Sequence, residues 1–194
     1  MKYIVFAGVL INLILTFSYI KAVYNGTIKP NRVSWLMWSV APLIATAAAL
    51  SNGVGLSVVP VFMSGFTPLL VFGISFVNKN AYWKLNYTDY VCGLVSLLAL
   101  VVWYVSKDPN YAILFALISD GFAAIPTVVK SWKYPDTEEI KAYIGGLILA
   151  LSSFFAIQVW DFSALAFPIY LVGLNLIIIA AIKHKKPSLV GKGR

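Results

Sequence analysis

The sequence predicts an all-α integral membrane fold of seven transmembrane helices. Three observations carry this expectation: an apolar composition, seven apolar runs of roughly bilayer length, and a one-sided distribution of lysine and arginine. Hydrophobic residues make up 60% of the 194-residue chain and charged residues 11%, whereas a soluble domain carries about a quarter charged residues. Mean hydropathy is +0.85. Seven helices of about 20 residues each would use nearly the whole chain, leaving little for a soluble domain.

The elements follow in order from the runs. The first extends from Tyr3 to Val23. Lys21-Ala22-Val23-Tyr24 is a poor small-residue cleavage site, so this run is expected to be a retained span and not a signal peptide. The second runs from Val33 to Ser51, after the turn-rich segment Tyr24 to Arg32, and the third from Leu56 to Val77, after Ser51-Asn52-Gly53. Asn78 to Asn86 separates it from the fourth, Tyr90 to Val105, and Lys107-Asp108-Pro109 punctuates the chain before the fifth, Tyr111 to Val129. The sixth, Ala142 to Trp160, follows the polar stretch Lys133 to Glu139, and Asp161-Phe162-Ser163 leads into the seventh, Ala164 to Ile182. Each connection carries glycine, proline, asparagine, aspartate or serine, the residues that stop a helix or turn the chain. Trp35, Trp103, Trp132 and Trp160 fall near predicted helix ends, where indoles anchor at the membrane interface.

Seven crossings define two sides. Lys2 and Lys107 fall on one side, and the other 13 of the 15 basic residues fall on the opposite side. Positive residues collect in cytoplasmic loops, so the expected topology is N-terminus outside and C-terminus cytoplasmic, in a plasma membrane or a prokaryotic inner membrane. Asn25-Gly26-Thr27 and Asn86-Tyr87-Thr88 match the glycosylation pattern, but this topology puts both in the cytoplasm. The net charge of +8 is then a matter of topology, and no nucleic-acid partner is expected. The lone cysteine, Cys92, excludes an intramolecular disulfide and a cysteine metal cluster; no metal and no cofactor are expected. An oligomer is compatible with the sequence.

Sliding the chain over itself by 108 residues brings the first three spans onto the last three without gaps. Asn12 then meets Asp120, Pro60 meets Pro168, Gly65 meets Gly173 and Thr67 meets Asn175. The fourth span stays unpaired. Two three-helix units of the same orientation require a lone crossing between them, so the repeat is parallel, as two three-helix repeats joined by a linker helix (3 + 1 + 3). The expected divisions are a first unit over 1–80, the linker helix over 81–107, a second unit over 108–184 and a basic tail over 185–194, all within one membrane domain.

The segment from Ala123 through Ile125-Pro126-Thr127-Val128-Val129-Lys130 to Pro135-Asp136-Thr137-Glu138-Glu139 resembles a PQ-loop. In that superfamily, which includes the SWEET carriers, a proline–glutamine pair near a helix end precedes a basic stretch and a short polar turn. Pro126-Thr127 stands in that place here; the first unit has Phe17-Ser18-Tyr19 in the corresponding region. The resemblance implies a SWEET-like seven-helix fold, a role in moving small solutes, and gating at Pro126 and Thr127. By position, Thr67 and Asn175 resemble the pocket residues on the third and seventh helices of those carriers.

Polar side chains near mid-span are costly in hydrocarbon unless they face other helices, water or a ligand. The tenth or eleventh residue of a span lies about 15 Å from its start, close to the midplane. Asn12, Thr67, Asp120, Ser152, Ser153 and Asn175 fall there, with Pro42 central in the second span. Asp120 is the only acidic residue at that depth. It is expected to bond Asn12, Ser119 or Asn175, and three roles fit it: holding a cationic group, exchanging a proton, or bonding helix to helix. Thr67 and Asn175 suit a polar solute or a neighbouring helix equally. Trp38 either floors a pocket or packs, packing being the commoner use of an aromatic at helical spacing. Pro42, Pro60, Pro68, Pro126 and Pro168 interrupt helical bonding, and Pro42 is a candidate for gating.

The expected partners are therefore the lipid bilayer and a small polar solute, with the proton a candidate coupling ion. The alternative is a membrane-embedded ligand receptor or scaffold that moves nothing. An enzyme is not expected, because the sole histidine, His184, is in the tail and Cys92 has no base near it in sequence. A retinal protein is excluded, because the seventh span lacks an interior lysine.

Overall fold

The computed structural model describes residues 2–51, 59–105, 109–157, 160 and 162–184. The expected turn residues 52–53, 107–108 and 161, the start of the third span and the basic tail lie outside the described residues, as does the side chain of Trp103. Among the described residues the chain is all-α, with seven helices and no strand. They are α1 (Lys2–Tyr24), α2 (Arg32–Ser51), α3 (Val59–Ile74), α4 (Tyr87–Val105), α5 (Pro109–Lys133), α6 (Ile140–Ser153) and α7 (Phe162–Lys183). Three stretches are long and apolar enough to cross a membrane: Tyr3–Tyr24, Leu114–Lys133 and Ala164–Lys183. Val59–Ile74, Tyr87–Val102 and Ile140–Ala156 are apolar but shorter.

Helix ends follow local chemistry. Gly26 closes α1 with a positive φ of 72°. Its N–H bonds the Val23 carbonyl at 2.9 Å and the Thr27 N–H bonds the Ala22 carbonyl at 3.0 Å, the paired bonds that satisfy the last carbonyls of a helix. Asn31 caps α2, its Oδ1 accepting from the N–H groups of Val33 and Ser34. Asn86 and Asp89 cap α4 reciprocally: the Asp89 N–H donates to Asn86 Oδ1 at 3.1 Å and the Asn86 N–H to Asp89 Oδ2 at 2.6 Å, a capping box. α6 stops at Ser153 and passes into a 3-10 turn, Phe154–Ala156, instead of continuing towards Trp160. Ser152 and Ser153 donate to the carbonyls of Leu149 and Ala150, which competes with the helical ladder there. Pro60 lies in the first turn of α3, where no helical N–H is needed. Pro42, Pro68, Pro126 and Pro168 lie inside helices.

α1 packs against α6 and α3, α2 against α3 and α5, and α7 against α5 and α6; α4 lies against α5 and α2. The outer wall is apolar: Leu10, Ile14 and Phe17 of α1 and Leu94, Leu97, Leu98 and Val101 of α4 are exposed.

At one end the helix termini are tied together. Asn31 Nδ2 donates to Asp89 Oδ1 at 2.9 Å, joining the starts of α2 and α4. Arg32 donates to the Ser75 carbonyl at 2.6 Å and stacks its guanidinium 4.0 Å from the Phe76 ring. Asn78 donates to the Tyr24 carbonyl at 2.7 Å, and the Lys29 N–H to the Thr137 carbonyl at 2.9 Å. The Trp132 and His184 rings stack between the ends of α5 and α7.

Candidate functional site

Six helices contribute to a partly open chamber of about 110 Å³. Asn12 and Thr16 come from α1, Trp35, Trp38 and Pro42 from α2, Ser64 and Thr67 from α3, Asp120 from α5, Gly146 from α6 and Asn175 from α7. The five expected binding residues, Asn12, Trp38, Thr67, Asp120 and Asn175, thus line one space, and Pro42 lines it with them.

Helical register explains the convergence. On α3, Ser64, Thr67 and Pro68 share a face at spacings of three and four residues, as do Trp35, Trp38 and Pro42 on α2. Pro42 lacks the N–H that would bond the Trp38 carbonyl, and Pro68 the one that would bond the Ser64 carbonyl. The prolines therefore leave the carbonyl groups of two lining residues without their helical N–H donors.

Asp120 is the only acidic or basic residue among the described residues of the lining. Its partner is Tyr170, whose hydroxyl donates to Oδ2 at 2.7 Å, and not Asn12, Ser119 or Asn175 as expected. Ser119 faces α4 instead, bonding the Ser96 hydroxyl at 3.0 Å and the Ser96 carbonyl at 2.9 Å. Thr67 Oγ1 lies 3.5 Å from Asn12 Oδ1, at the outer limit of a hydrogen bond, and donates to the Met63 carbonyl at 2.9 Å. Asn175 Nδ2 donates to the Leu171 carbonyl at 2.8 Å. These contacts hold each side chain in place while leaving acceptor capacity on Asp120 and Asn175.

The aromatic side of the chamber is short of acceptors. Trp35 and Trp38 pack edge-on with ring centroids 5.3 Å apart, and both indole N–H groups are buried without a hydrogen-bond partner among the described residues. A buried donor left unpaired costs about 1–3 kcal/mol, and a bound acceptor would remove that cost. Trp35 is a core residue rather than an interfacial anchor, packed against Tyr19 and Tyr143.

Beneath the chamber is a polar lock that sequence reasoning missed. Lys130 of α5 forms a buried ion pair with Glu138 at 2.5 Å. Glu138 Oε2 accepts from the hydroxyls of Tyr19 at 2.7 Å and Tyr143 at 3.1 Å, and Lys130 donates to the Lys29 carbonyl. The lock joins α1, α5 and α6 at the end where the helix termini are tied, and Tyr143 belongs to both lock and chamber. In sequence, Lys130 reads as one of many topological charges and Glu138 as a loop acid. The available signal was opposite charge across a short Pro135-containing turn.

Gly145 and Gly146 were also missed. A Cβ on Gly145 would lie 3.2 Å from Asn12, and one on Gly146 would lie 2.6 Å from Asn175 Oδ1. The glycine pair makes room for both amides.

Pro126 and Thr127 do not line the chamber. Pro126 faces a second cavity near the α3–α4 connection. Thr127 is fully buried, its hydroxyl without a partner among the described residues. No group of three or more histidine, cysteine, aspartate or glutamate side chains suited to a metal occurs among the described residues. No family model, curated protein or solved structure matches the chain.

Proposed function

We propose that this chain is a multi-pass membrane protein of SWEET-like 3 + 1 + 3 plan that carries a small polar solute through the chamber between its two repeats. The observation that carries the reading is the convergence of Asn12, Trp38, Thr67, Asp120 and Asn175, from five helices, on one internal space. Such a site between repeats is where alternating-access carriers hold their cargo.

The packing graph supports the repeat. Exchanging α1, α2 and α3 for α5, α6 and α7 turns α1 on α3 into α5 on α7, α2 on α3 into α6 on α7, and α1 on α6 into α5 on α2; all six pairs are in contact. α4 stands outside this exchange, as a linker would. Trp35 and Tyr143 are related by the 108-residue offset and meet with centroids 6.1 Å apart. The tied end favours N-outside, C-inside topology, because it gathers the lysine-rich connections on one face. Proline inside α2, α3, α5 and α7 provides bending points for alternating access, with Pro42, Pro126 and Thr127 as gating residues.

The chamber, about 110 Å³ and partly open, is of a size for a small solute. Tyr143, which bonds Glu138 of the lock, lines the chamber. The receptor or scaffold alternative is favoured by the internal hydrogen bonds of Asp120, Thr67 and Asn175, which hold these residues without any solute. Liposome uptake decides between them: a labelled panel of small sugars, amino acids and amines, with and without an inward proton gradient, is applied to the protein and to Asp120→Asn. Protein-dependent uptake is expected, with gradient dependence lost in the variant. Absence of uptake across the panel by folded protein would favour the receptor or scaffold.

A further inference from the structure

The hydrogen bonding inside the chamber narrows the chemistry of its solute. Three polar side chains of the lining direct their donors to their own helices: Ser64 Oγ to the Val61 carbonyl at 2.8 Å, Thr67 Oγ1 to the Met63 carbonyl at 2.9 Å and Asn175 Nδ2 to the Leu171 carbonyl at 2.8 Å. What these groups keep for a solute is accepting capacity. The Asp120 carboxylate takes one bond from Tyr170 and retains further lone pairs. No lysine, arginine or histidine is among the described residues of the lining, so this carboxylate has no protein counter-ion there. Trp35, Trp38, Tyr143 and Phe167 add aromatic rings to the same lining, and aromatic faces attract cations.

Neutral donors stand on α1. Asn12 and Thr16 both line the chamber, four residues apart and so on one helical face, and an amide and a hydroxyl can each donate to an oxygen. A carboxylate on the solute would meet these uncharged groups and the negative charge of Asp120, whereas a hydroxyl would be matched. A bare inorganic cation fits less well, because hard cations gather several oxygens around themselves, and here a single carboxylate shares the space with aromatic rings.

We infer that the chamber binds a small protonated primary amine bearing an uncharged oxygen, an amino alcohol, with its ammonium at Asp120 and its hydroxyl towards Asn12 and Thr16. The inference rests on the reading above that the chamber is a solute site, and adds the class of the solute. A primary ammonium has three N–H groups to give to accepting oxygens. Its charge also offsets the cost of holding a carboxylate inside a membrane.

Binding of tritiated ethanolamine to the full chain in neutral detergent and amine-free phosphate buffer at pH 7 tests this, independently of transport. Saturable binding is expected, with ethylene glycol, glycine and choline each competing at least about tenfold more weakly than unlabelled ethanolamine, since a charge-assisted hydrogen bond contributes about that factor or more. Asp120→Asn, shown to be folded, should weaken binding by about tenfold or more, and Trp38→Leu severalfold while Trp38→Phe retains most of it. Absence of ethanolamine binding to the unaltered chain, or unchanged affinity in Asp120→Asn, would overturn the inference. So would equal competition by choline, whose trimethylammonium has no N–H to donate, or by glycine. Displacement by sodium as effective as by ethylamine would identify an inorganic-cation site and overturn it as well. Ethanolamine bound without uptake into liposomes would uphold the inference and count against the carrier reading; uptake of a sugar or an amino acid by a chain that does not bind ethanolamine would do the reverse.

Discussion

Glu138 is 7% exposed and Lys130 2%, so each is the other's main compensation for leaving water. Removing one partner of a buried pair leaves an uncompensated charge, which costs about 3–5 kcal/mol. Glu138→Ala is therefore expected to lower stability by that amount in thermal unfolding in detergent, and adding Lys130→Met should recover most of the loss. An unchanged melting temperature in Glu138→Ala would mean that Lys130 finds water and that the lock is not closed. The convergence of Asn12, Thr67, Asp120 and Asn175 on one space was legible in the sequence because depth in a span follows from counting, and polar groups at one depth have reason to meet; Trp38 was singled out only by its helical spacing from Trp35. Tyr170 was not legible. Nothing in its own helix distinguishes a tyrosine that holds an aspartate from one that packs, and the distinction depends on which helix faces it. The glycines Gly145 and Gly146 were hidden for the same reason, since what they accommodate comes from α1 and α7.

At the scale of elements, the caps at the tied end make a graded comparison. Asn86→Ala removes one side of the α4 capping box and is expected to cost about 1 kcal/mol. Asn31→Ala removes the cap of α2 and also the buried partner of Asp89, adding about 1–3 kcal/mol. Denaturation of the two variants should therefore rank Asn31→Ala as clearly the less stable; the reverse order would mean that the Asn31–Asp89 bond does not hold α2 to α4. The seven helices were legible because an apolar run bounded by turn residues specifies its own length. The early end of α6 was not. It follows from Ser152 and Ser153 donating to carbonyls one turn back, a local contest that run length does not register. The packing order was not legible, because apolar runs specify helices without stating which face of α1 meets α6.

For the whole molecule, the tied end is expected to be cytoplasmic. In a Cys92→Ser background, Lys29→Cys should react with an impermeant thiol reagent only from the cytoplasmic side, and Trp160→Cys, at a position 65% exposed, only from the outside. Labelling of both from the same side would break the alternation of crossings on which the topology depends. The distance along the chain between partners has a further consequence, for synthesis. The Tyr19–Glu138 bond joins residues 119 positions apart, and α1 finds its main neighbour only in α6. At about 5–20 residues per second, α1 waits some 6–24 seconds after it is made before α6 exists. During that interval Asn12 lacks the glycine cradle of α6 and Tyr19 lacks the carboxylate of Glu138. α2 to α5 can assemble among themselves meanwhile, since α2 meets α3 and α4 meets α5 as sequence neighbours. The last large step of folding is then the capture of a waiting first helix by the sixth, and a ribosome that stalls before residue 140 leaves a bundle with its polar seam uncovered.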